Sequence, residues 1–379
     1  MALFGDALPS FPWDSLTGAR ERAQAHPGGI VDLSVGTPVD PTPSLVQDAL
    51  VAAADSPGYP TTQGTDELRR AIVDWFARRR NVPGLTPEQV LPTIGSKELV
   101  AFLPALLGLG EGDVVVHPQI AYPTYDVGAR LAGAEPVPAD ATTAVGPGRV
   151  RLWWLNSPSN PTGRVLGVEH LRKVVEWARA RGVVVASDEC YAELGWAEPW
   201  ASEGVPSLLD PRVCGGDHTG LLVLYSMSKQ SNLAGYRAAF AAGDPALIGR
   251  LLEIRKHAGM MVPGPVQAAL TAALADDAHV AEQRERYRRR REVLLAACAA
   301  AGLRVDPTSE AGLYLWATVA GQDVDCRAIV AALAERGILV APGEFYGPGG
   351  ARHVRIALTA SDERIAAAAE RLTAAPLAV

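Results

Sequence analysis

The chain has 379 residues, of which 48% are hydrophobic and 20% charged, and its formal net charge is −7. That length predicts two lobes, the balance is that of a soluble globular protein, and the acidic excess argues against a nucleic-acid surface. The four cysteines, Cys190, Cys214, Cys298 and Cys326, are too dispersed for a redox pair or a disulfide framework. The histidines lack ligand spacing, so no metal is expected. Without a leader-like N-terminus or an apolar run of about eighteen residues, the expected location is cytoplasmic and away from the membrane.

In chain order, Tyr59 to Arg69 precedes a helix in which Leu68, Ile72 and Phe76 share a face, and Thr93-Ile94-Gly95-Ser96-Lys97-Glu98 opens another. Buried strands are predicted over Asp113–Val116, Val150–Leu155, Val183–Ala186, Leu221–Leu224 and Arg237–Ala241. Between them, Leu171, Val174, Val175 and Ala178 recur at helical spacing within Glu169–Arg181. Strand alternating with helix implies an α/β fold with a mainly parallel central sheet flanked by helices. After about residue 265 the texture changes: a long charged helix over Ala278–Ala301, a hairpin-like Leu313–Val319, a helix over Cys326–Arg336, a strand over Val354–Leu358 and an Ala-rich terminal helix. The expected division is an N-terminal segment 1–35 packing with the small domain, a large domain 36–265, and a smaller α+β domain 266–379.

Parallel sheets bind ligands beyond the carboxyl ends of their strands, and three polar clusters fall there: Asn156 to Asn160, Asp188, and Ser226 to Lys229. Lys229 is one of four lysines among 35 basic residues. Lysine, unlike arginine, can become a free amine that forms a Schiff base. The Gly95-Ser96 turn at a helix start offers free N–H groups to a phosphate, with Ser226, Ser228 and Arg237 adding hydroxyls and bidentate charge. Asp188 follows a run of valines, where a buried carboxylate calls for a cationic partner such as a protonated pyridine nitrogen. Asn160 and Tyr191 can hydrogen-bond a phenolate oxygen, and Tyr122 can stack on an aromatic ring. Taken together, these groups describe a site for pyridoxal 5'-phosphate.

The run Asn156-Ser-Pro-Ser-Asn160-Pro-Thr-Gly163, the segment Ser187 to Tyr191, the Ser226-x-Ser228-Lys229 box with Arg237, and Val354 to Leu358 resemble the class I aminotransferases of fold type I. A closer likeness, to the actinobacterial type of succinyldiaminopimelate aminotransferase, lies in Phe11–Leu16, Leu33–Pro41, Asn156–Gly163 and Asp210–Cys214. The resemblance implies the fold type I architecture of pyridoxal-phosphate transferases and a homodimer in which Tyr59 reaches the neighbouring subunit's cofactor phosphate. It implies cofactor contacts at Gly95, Ser96, Lys97, Tyr122, Asn160, Asp188, Tyr191, Ser226, Ser228, Lys229 and Arg237, with Lys229, Asp188 and Tyr191 in catalytic roles. Arg355 would hold the substrate α-carboxylate, helped by Asn160 and the backbone near Gly36. Small amino and keto acids are the implied partners: glutamate as donor and the 6-oxo form of an N-succinylated aminopimelate as acceptor, a step of diaminopimelate and lysine synthesis. Distal carboxylates would fall to Lys97, Gln63, Arg20, or Arg255 or Lys256 of the partner subunit.

Other readings fit less well. Ser226-x-x-Lys229 matches the signature of serine hydrolases that pair serine with lysine, but the companion Lys-Thr-Gly is missing. Gly108-x-Gly110-x-Gly112 follows a helix end instead of a strand, so it reads as a turn and not as a dinucleotide fingerprint. Another class I aminotransferase, of aspartate, N-acetylornithine or aromatic type, or a C–S lyase on the same fold would share the motifs.

Overall fold

The computed structural model describes residues 8–146, 148–321 and 323–379. The chain enters through α1 (Thr17–Gln24) and β1 (Val31–Asp32), then forms α2 (Ser44–Ala52) and α3 (Asp66–Arg79). Thr65 caps α3, its hydroxyl accepting the Leu68 N–H at 3.2 Å, which satisfies a donor the first turn would otherwise leave free.

Seven strands build the large sheet: β2 (Val90–Ile94), β3 (Asp113–His117), β4 (Glu135–Pro138), β5 (Arg149–Asn156), β6 (Val184–Asp188), β7 (Leu221–Ser226) and β8 (Ala238–Gly243), in the order β2-β8-β7-β6-β5-β3-β4. The run from β7 to β4 is parallel. β8 instead runs antiparallel to both β7 and β2, so one of the expected parallel strands is reversed. It also starts one residue later than expected: Arg237 has a φ of 55°, and its carbonyl accepts the Gly95 N–H at 2.8 Å instead of extending the strand.

Alternate residues of each strand go to opposite faces. On one face, α4 (Ser96–Leu106), α5 (Thr124–Leu131) and α9 (Pro245–Ala258) bury Leu99, Leu103, Ala129 and Leu251 against Val115, Leu152, Trp154 and Leu224. On the other, α3, α6 (Val168–Arg179) and α10 (Gly264–Ala275) cover Val116, Trp153, Val185 and Val223. Trp75 lies within 5.6 Å of both Tyr225 and Phe240, ring to ring. Burying a side chain of this size contributes about 1.5–3 kcal/mol. Two four-residue helices, α7 (Pro211–Cys214) and α8 (Met227–Gln230), sit in the connections around β7.

Because α10 packs on the large-sheet core with α2 and α3, the chain leaves that core at α11 (Ala278–Ala300) and not at residue 265. Then follow β9 (Leu303–Val305), β10 (Tyr314–Val319), α12 (Cys326–Glu335), β11 (Ile338–Leu339), β12 (Ala341–Pro342), β13 (Val354–Ala357) and α13 (Asp362–Thr373). The stretch expected as a hairpin is a single strand, β10, flanked by β13 and β9 in an antiparallel sheet of order β12-β13-β10-β9. Leu16, Val31 and Leu33 pack into this lobe's core, and β1 pairs in parallel with β11. No helix among the described residues is long and apolar enough to cross a membrane.

Candidate active site

The carboxyl ends of β5, β6 and β7 deliver Asn156, Asp188 and Ser226 to one edge of the sheet. Ser226 caps the short α8: its Oγ accepts the Ser228 N–H at 3.2 Å and its hydroxyl donates to Ser228 Oγ at 2.8 Å. This turn aims Lys229 across the cleft, where its Nζ donates to the Gly36 carbonyl at 2.6 Å. The serine that a hydrolase reading would require as nucleophile is therefore held as a cap. Gly108 to Gly112 lies between α4 and β3, which confirms that it follows a helix and is a turn.

Asp188 is buried, with Oδ2 accepting the Tyr125 hydroxyl at 3.0 Å and Oδ1 accepting the Cys190 N–H at 3.2 Å. Burial pushes its carboxyl above the usual range, against the donors from Cys190 and Tyr125 and the Lys229 charge, which pull it down. Such a group gains from a cationic partner. Tyr122, partly buried, meets the Tyr125 ring edge-on, with centroids 5.9 Å apart. Tyr191 is buried, its hydroxyl 3.2 Å from that of Tyr314.

Gly95 ends β2 in a left-handed conformation, φ 73°, and α4 starts at Ser96 with no side-chain cap. The guanidinium of Arg237 lies across Gly95, so that a Cβ there would come within 2.1 Å of Nη2. Uncapped N–H groups at the start of α4 and the Arg237 guanidinium thus meet where a phosphate dianion is favoured, while Ser226 and Ser228 lie at the end of β7, two strands from β2 in the sheet. Lys97 follows on α4 but is exposed, its ammonium 5.7 Å from the Phe11 ring centre.

Arg355, on β13, is 3% exposed. Its Nη1 donates to Asn160 Oδ1 at 2.9 Å and its Nη2 to the Ser34 carbonyl at 2.6 Å, while its Nε has no partner among the described residues. A guanidinium carries more donors than these two, so the fork can still take an anion. The Asn160 amide nitrogen likewise stays available once its oxygen is engaged, and Asn156 Oδ1 fixes the loop by accepting the Asn160 N–H at 2.7 Å. The rings of Tyr314 and Tyr346 lie 4.0 and 5.0 Å from the guanidinium carbon. Gly36 is required by a close approach: a Cβ there would lie 2.0 Å from the Tyr314 hydroxyl.

A family model described as aminotransferase class I and II matches residues 29–372. The chain belongs to the class I and II aminotransferases. Over 368 residues it is 63% identical to the probable aminotransferase Rv1178 of Mycobacterium tuberculosis, covering 97% of this chain and 86% of the relative. It is 57% identical to the 4-dedimethylamino-4-oxo-anhydrotetracycline transaminase OxyQ of Streptomyces rimosus, over 97% of this chain and 99% of that one, and 31% identical to the LL-diaminopimelate aminotransferase of Aquifex aeolicus, over 96% of each. Among solved structures, an aminotransferase from Staphylococcus aureus superposes with a TM-score of 0.86 at 28% identity over 98% of both chains. A probable N-succinyldiaminopimelate aminotransferase from Thermus thermophilus does so at 0.85 and 29%, over 96% of this chain and 99% of that one.

Class I and II aminotransferases work with pyridoxal phosphate, and the residues present fit it. The uncapped start of α4 beside Arg237 suits the phosphate, and the buried Asp188 carboxylate suits a protonated ring nitrogen. Tyr59 is 95% exposed and makes no contribution to the cleft of its own chain. One distal-carboxylate candidate is corrected. Arg255 is fully buried and bidentate on Glu98 at 2.6 and 3.0 Å, so it cannot extend to another subunit; Lys256 pairs with Glu253 at 2.6 Å on the surface. Arg20 is held by Asp32 at 2.8 Å, and Gln63 is partly buried beside Gly64. Sequence reasoning overlooked Tyr125, Tyr314 and Tyr346. Tyr125 alone carried a signal, since it lies one helical turn from Tyr122.

Proposed function

We propose that this aminotransferase moves an amino group between glutamate and 2-oxoglutarate on one side and N-succinyl-diaminopimelate and its 6-oxo counterpart on the other, in diaminopimelate and lysine synthesis. What carries the reading is the fork of Arg355 beside Asn160, facing the Lys229 amine across Gly36. An α-carboxylate held there is set beside an amine able to move the α-proton. The likeness to a probable N-succinyldiaminopimelate aminotransferase and to LL-diaminopimelate aminotransferases supports the acceptor.

Bound pyridoxal phosphate supplies an electron sink that acidifies the α-proton of the attached amino acid. Lys229 would be the residue that holds the cofactor covalently, and its free amine would be the base that carries the α-proton. Asp188, its carboxylate held in place by Tyr125 and the Cys190 N–H, would keep the ring nitrogen protonated. Tyr191 and the Asn160 amide would donate to the ring oxygen, and Tyr122 would cover the ring face. Gly95, Ser96, Lys97 through its N–H, Ser226, Ser228 and Arg237 would hold the phosphate. The partner subunit's Tyr59 completes that site in a homodimer, which accounts for an aromatic residue 95% exposed on the single chain. Gly36 and Asn160 frame the carboxylate on Arg355.

The 57% identity to OxyQ supports a second reading, in which the acceptor is a polycyclic ketone. The test is a panel of acceptors offered to enzyme preloaded with glutamate: the succinylated aminopimelate semialdehyde, its acetylated analogue, oxaloacetate, acetylornithine semialdehyde and 4-dedimethylamino-4-oxo-anhydrotetracycline. The first is expected to have the highest kcat/KM, and preference for any other would overturn the assignment. Pyruvate and ammonia released from a cysteine conjugate would indicate a lyase. Lys229→Ala is expected to lack the near-visible band of lysine-bound cofactor; an unchanged band would remove the lysine from its role.

A further inference from the structure

Gly36 begins a span of backbone whose place is set from its two ends. On the near side the chain belongs to the small lobe: the Leu33 N–H donates to the Leu339 carbonyl at 2.7 Å, the Ser34 carbonyl accepts Arg355 Nη2 at 2.6 Å, and the Val35 carbonyl accepts the Thr359 hydroxyl at 3.0 Å. From Gly36 to Val39 no backbone N–H donates to a described residue. The Lys229 amine that reaches the Gly36 carbonyl is the group assigned to the cofactor, so it is no permanent anchor. The far end is fixed instead to the turn that follows Lys229: Asn232 Nδ2 donates to the Pro41 carbonyl at 3.2 Å, and the Thr42 hydroxyl to the Asn232 carbonyl at 3.3 Å.

Behind that far end stands a polar row on α11. His279, Gln283, Tyr287 and Arg290 recur at i, i+4, i+8 and i+11, so they share one face, and all four are buried. Each meets the turn or the span. His279 Nε2 is 2.7 Å from Ser231 Oγ. Gln283 Oε1 accepts Asn232 Nδ2 at 3.0 Å, while its Nε2 donates to Asp40 Oδ2 at 2.7 Å. The Tyr287 hydroxyl lies 3.4 Å from both the Lys229 carbonyl and Asn232 Oδ1. Arg290 holds Asp40 with two donors, at 2.6 and 2.8 Å, and Asp362 with its Nε at 2.6 Å. An apolar face would pack here at least as stably, because desolvating charged and polar groups offsets most of what their pairing returns. Registry is the use that best accounts for such a buried network, and the two parts registered are the span and the lysine turn.

We propose that Asp40 and Gln283 are positioning residues that fix the Gly36 span to the Lys229 turn through α11, so that the substrate carboxylate and the amine that takes the α-proton keep one spacing. Gln283 is the joint, because a single amide engages Asn232 on one side and Asp40 on the other. Both residues act through other groups. With the tie cut, Arg355 and Asn160 still hold the carboxylate, but the Gly36 backbone that frames it is no longer set against the lysine. The inference rests on the roles of Lys229, Arg355 and Gly36 given under the proposed function.

The test compares full-length holoenzymes. Gln283→Leu keeps the volume and the Arg290–Asp40 pair but cuts both arms of the joint. Asp40→Asn sets an amide donor against the donors of Gln283 and Arg290. Asp362→Asn is the control: it weakens the outer, exposed partner of Arg290 and leaves the tie whole. In single turnover with glutamate, the first two are expected to lose about ten- to hundredfold in saturating rate per bound cofactor, the scale of a misplacement of up to about one ångström. Glutarate, an unreactive dicarboxylate, is expected to bind within about threefold of wild type. Loss of stability alone would lower the amount of loaded enzyme and not its rate per cofactor. A second readout needs neither cofactor nor substrate: in the apo protein, amide hydrogen exchange over residues 231–237 is expected to be about tenfold faster in Gln283→Leu and unchanged in Asp362→Asn. Gln283→Leu carries the test if Asp40→Asn fails to fold. A wild-type rate with wild-type exchange in Gln283→Leu would overturn the proposal, as would equal losses in Asp362→Asn or glutarate binding lost in step with the rate. A wild-type enzyme inert toward glutamate would count against the substrate reading instead, and the exchange measurement would then decide this one.

Discussion

Tyr125→Phe removes a single oxygen from behind the Asp188 carboxylate. The ring should stay in place, since it packs against Trp154 with centroids 5.1 Å apart. What disappears is the 3.0 Å hydrogen bond to Oδ2, in a site where both residues are buried and no water can replace it. A hydrogen bond to a charged group is worth about 1.5–3 kcal/mol. Its loss adds to the burial that already pushes the Asp188 carboxyl up, so the ionised form that holds the ring-nitrogen proton is weakened by that amount. Converted to affinity, this is roughly a ten- to hundredfold rise in the Kd for pyridoxal phosphate. The assay is an absorbance titration of the apo protein with the cofactor at neutral pH, beside circular dichroism to establish that the fold persists. A Kd within about twofold of wild type would refute the argument, because the tyrosine would then be packing and the carboxylate would not need its donor.

Asp188→Asn separates stability from function. Because its folded-state pKa is raised, Asp188 binds more protons folded than unfolded between the two values, so it lowers the unfolding free energy as pH rises through that window. The apo Asp188→Asn protein is expected to be at least as stable as wild type at pH 7 and to lose that advantage below about pH 4, while cofactor affinity collapses; denaturant melts at the two pH values check this. Gly95→Ala forces a side chain onto a φ of 73° and displaces the Arg237 guanidinium. It is expected to cost about 1–2 kcal/mol of stability and to weaken inhibition of cofactor loading by inorganic phosphate. Arg355→Ala is expected to raise KM for glutamate about a hundredfold, on the order of 3 kcal/mol, with the cofactor retained in spectra. Loss of the cofactor instead would mean the roles of Arg355 and Arg237 are exchanged.

The central strands were legible because β5, β6 and β7 are buried on both faces, and continuous apolar runs such as Leu221 to Leu224 have no competing explanation. The sheet's edges were not. β2 carries Pro92 in its middle and β4 contains Pro136 and Pro138, and a residue without an N–H reads as a break unless the strand is known to lie at an edge. The reversal of β8 was hidden because Ala238 to Gly243 is buried along its whole length whichever way it runs. Within the site, Lys229, Asp188, Asn160 and Arg355 announced themselves through local motifs. Tyr314 did not: it is an aromatic residue in an apolar strand, and only the fold brings β10 against Gly36 and Tyr191. Arg255 was misjudged for the complementary reason, since charge near a cleft suggests an anion site until a partly buried carboxylate, Glu98, is found to claim it.

The reversed strand has an architectural effect that reaches the cofactor. Because β8 runs against its neighbours, its beginning, not its end, lies at the ligand edge, so Lys229 leaving β7 and Arg237 entering β8 share one short turn. Elsewhere along that edge, successive groups are separated by a helix and a whole traverse of the sheet. Lengthening the Ser231–Tyr236 turn by one residue would therefore retract the amine and the phosphate anchor together, whereas an insertion in the tip after α6 would be absorbed at the opposite rim.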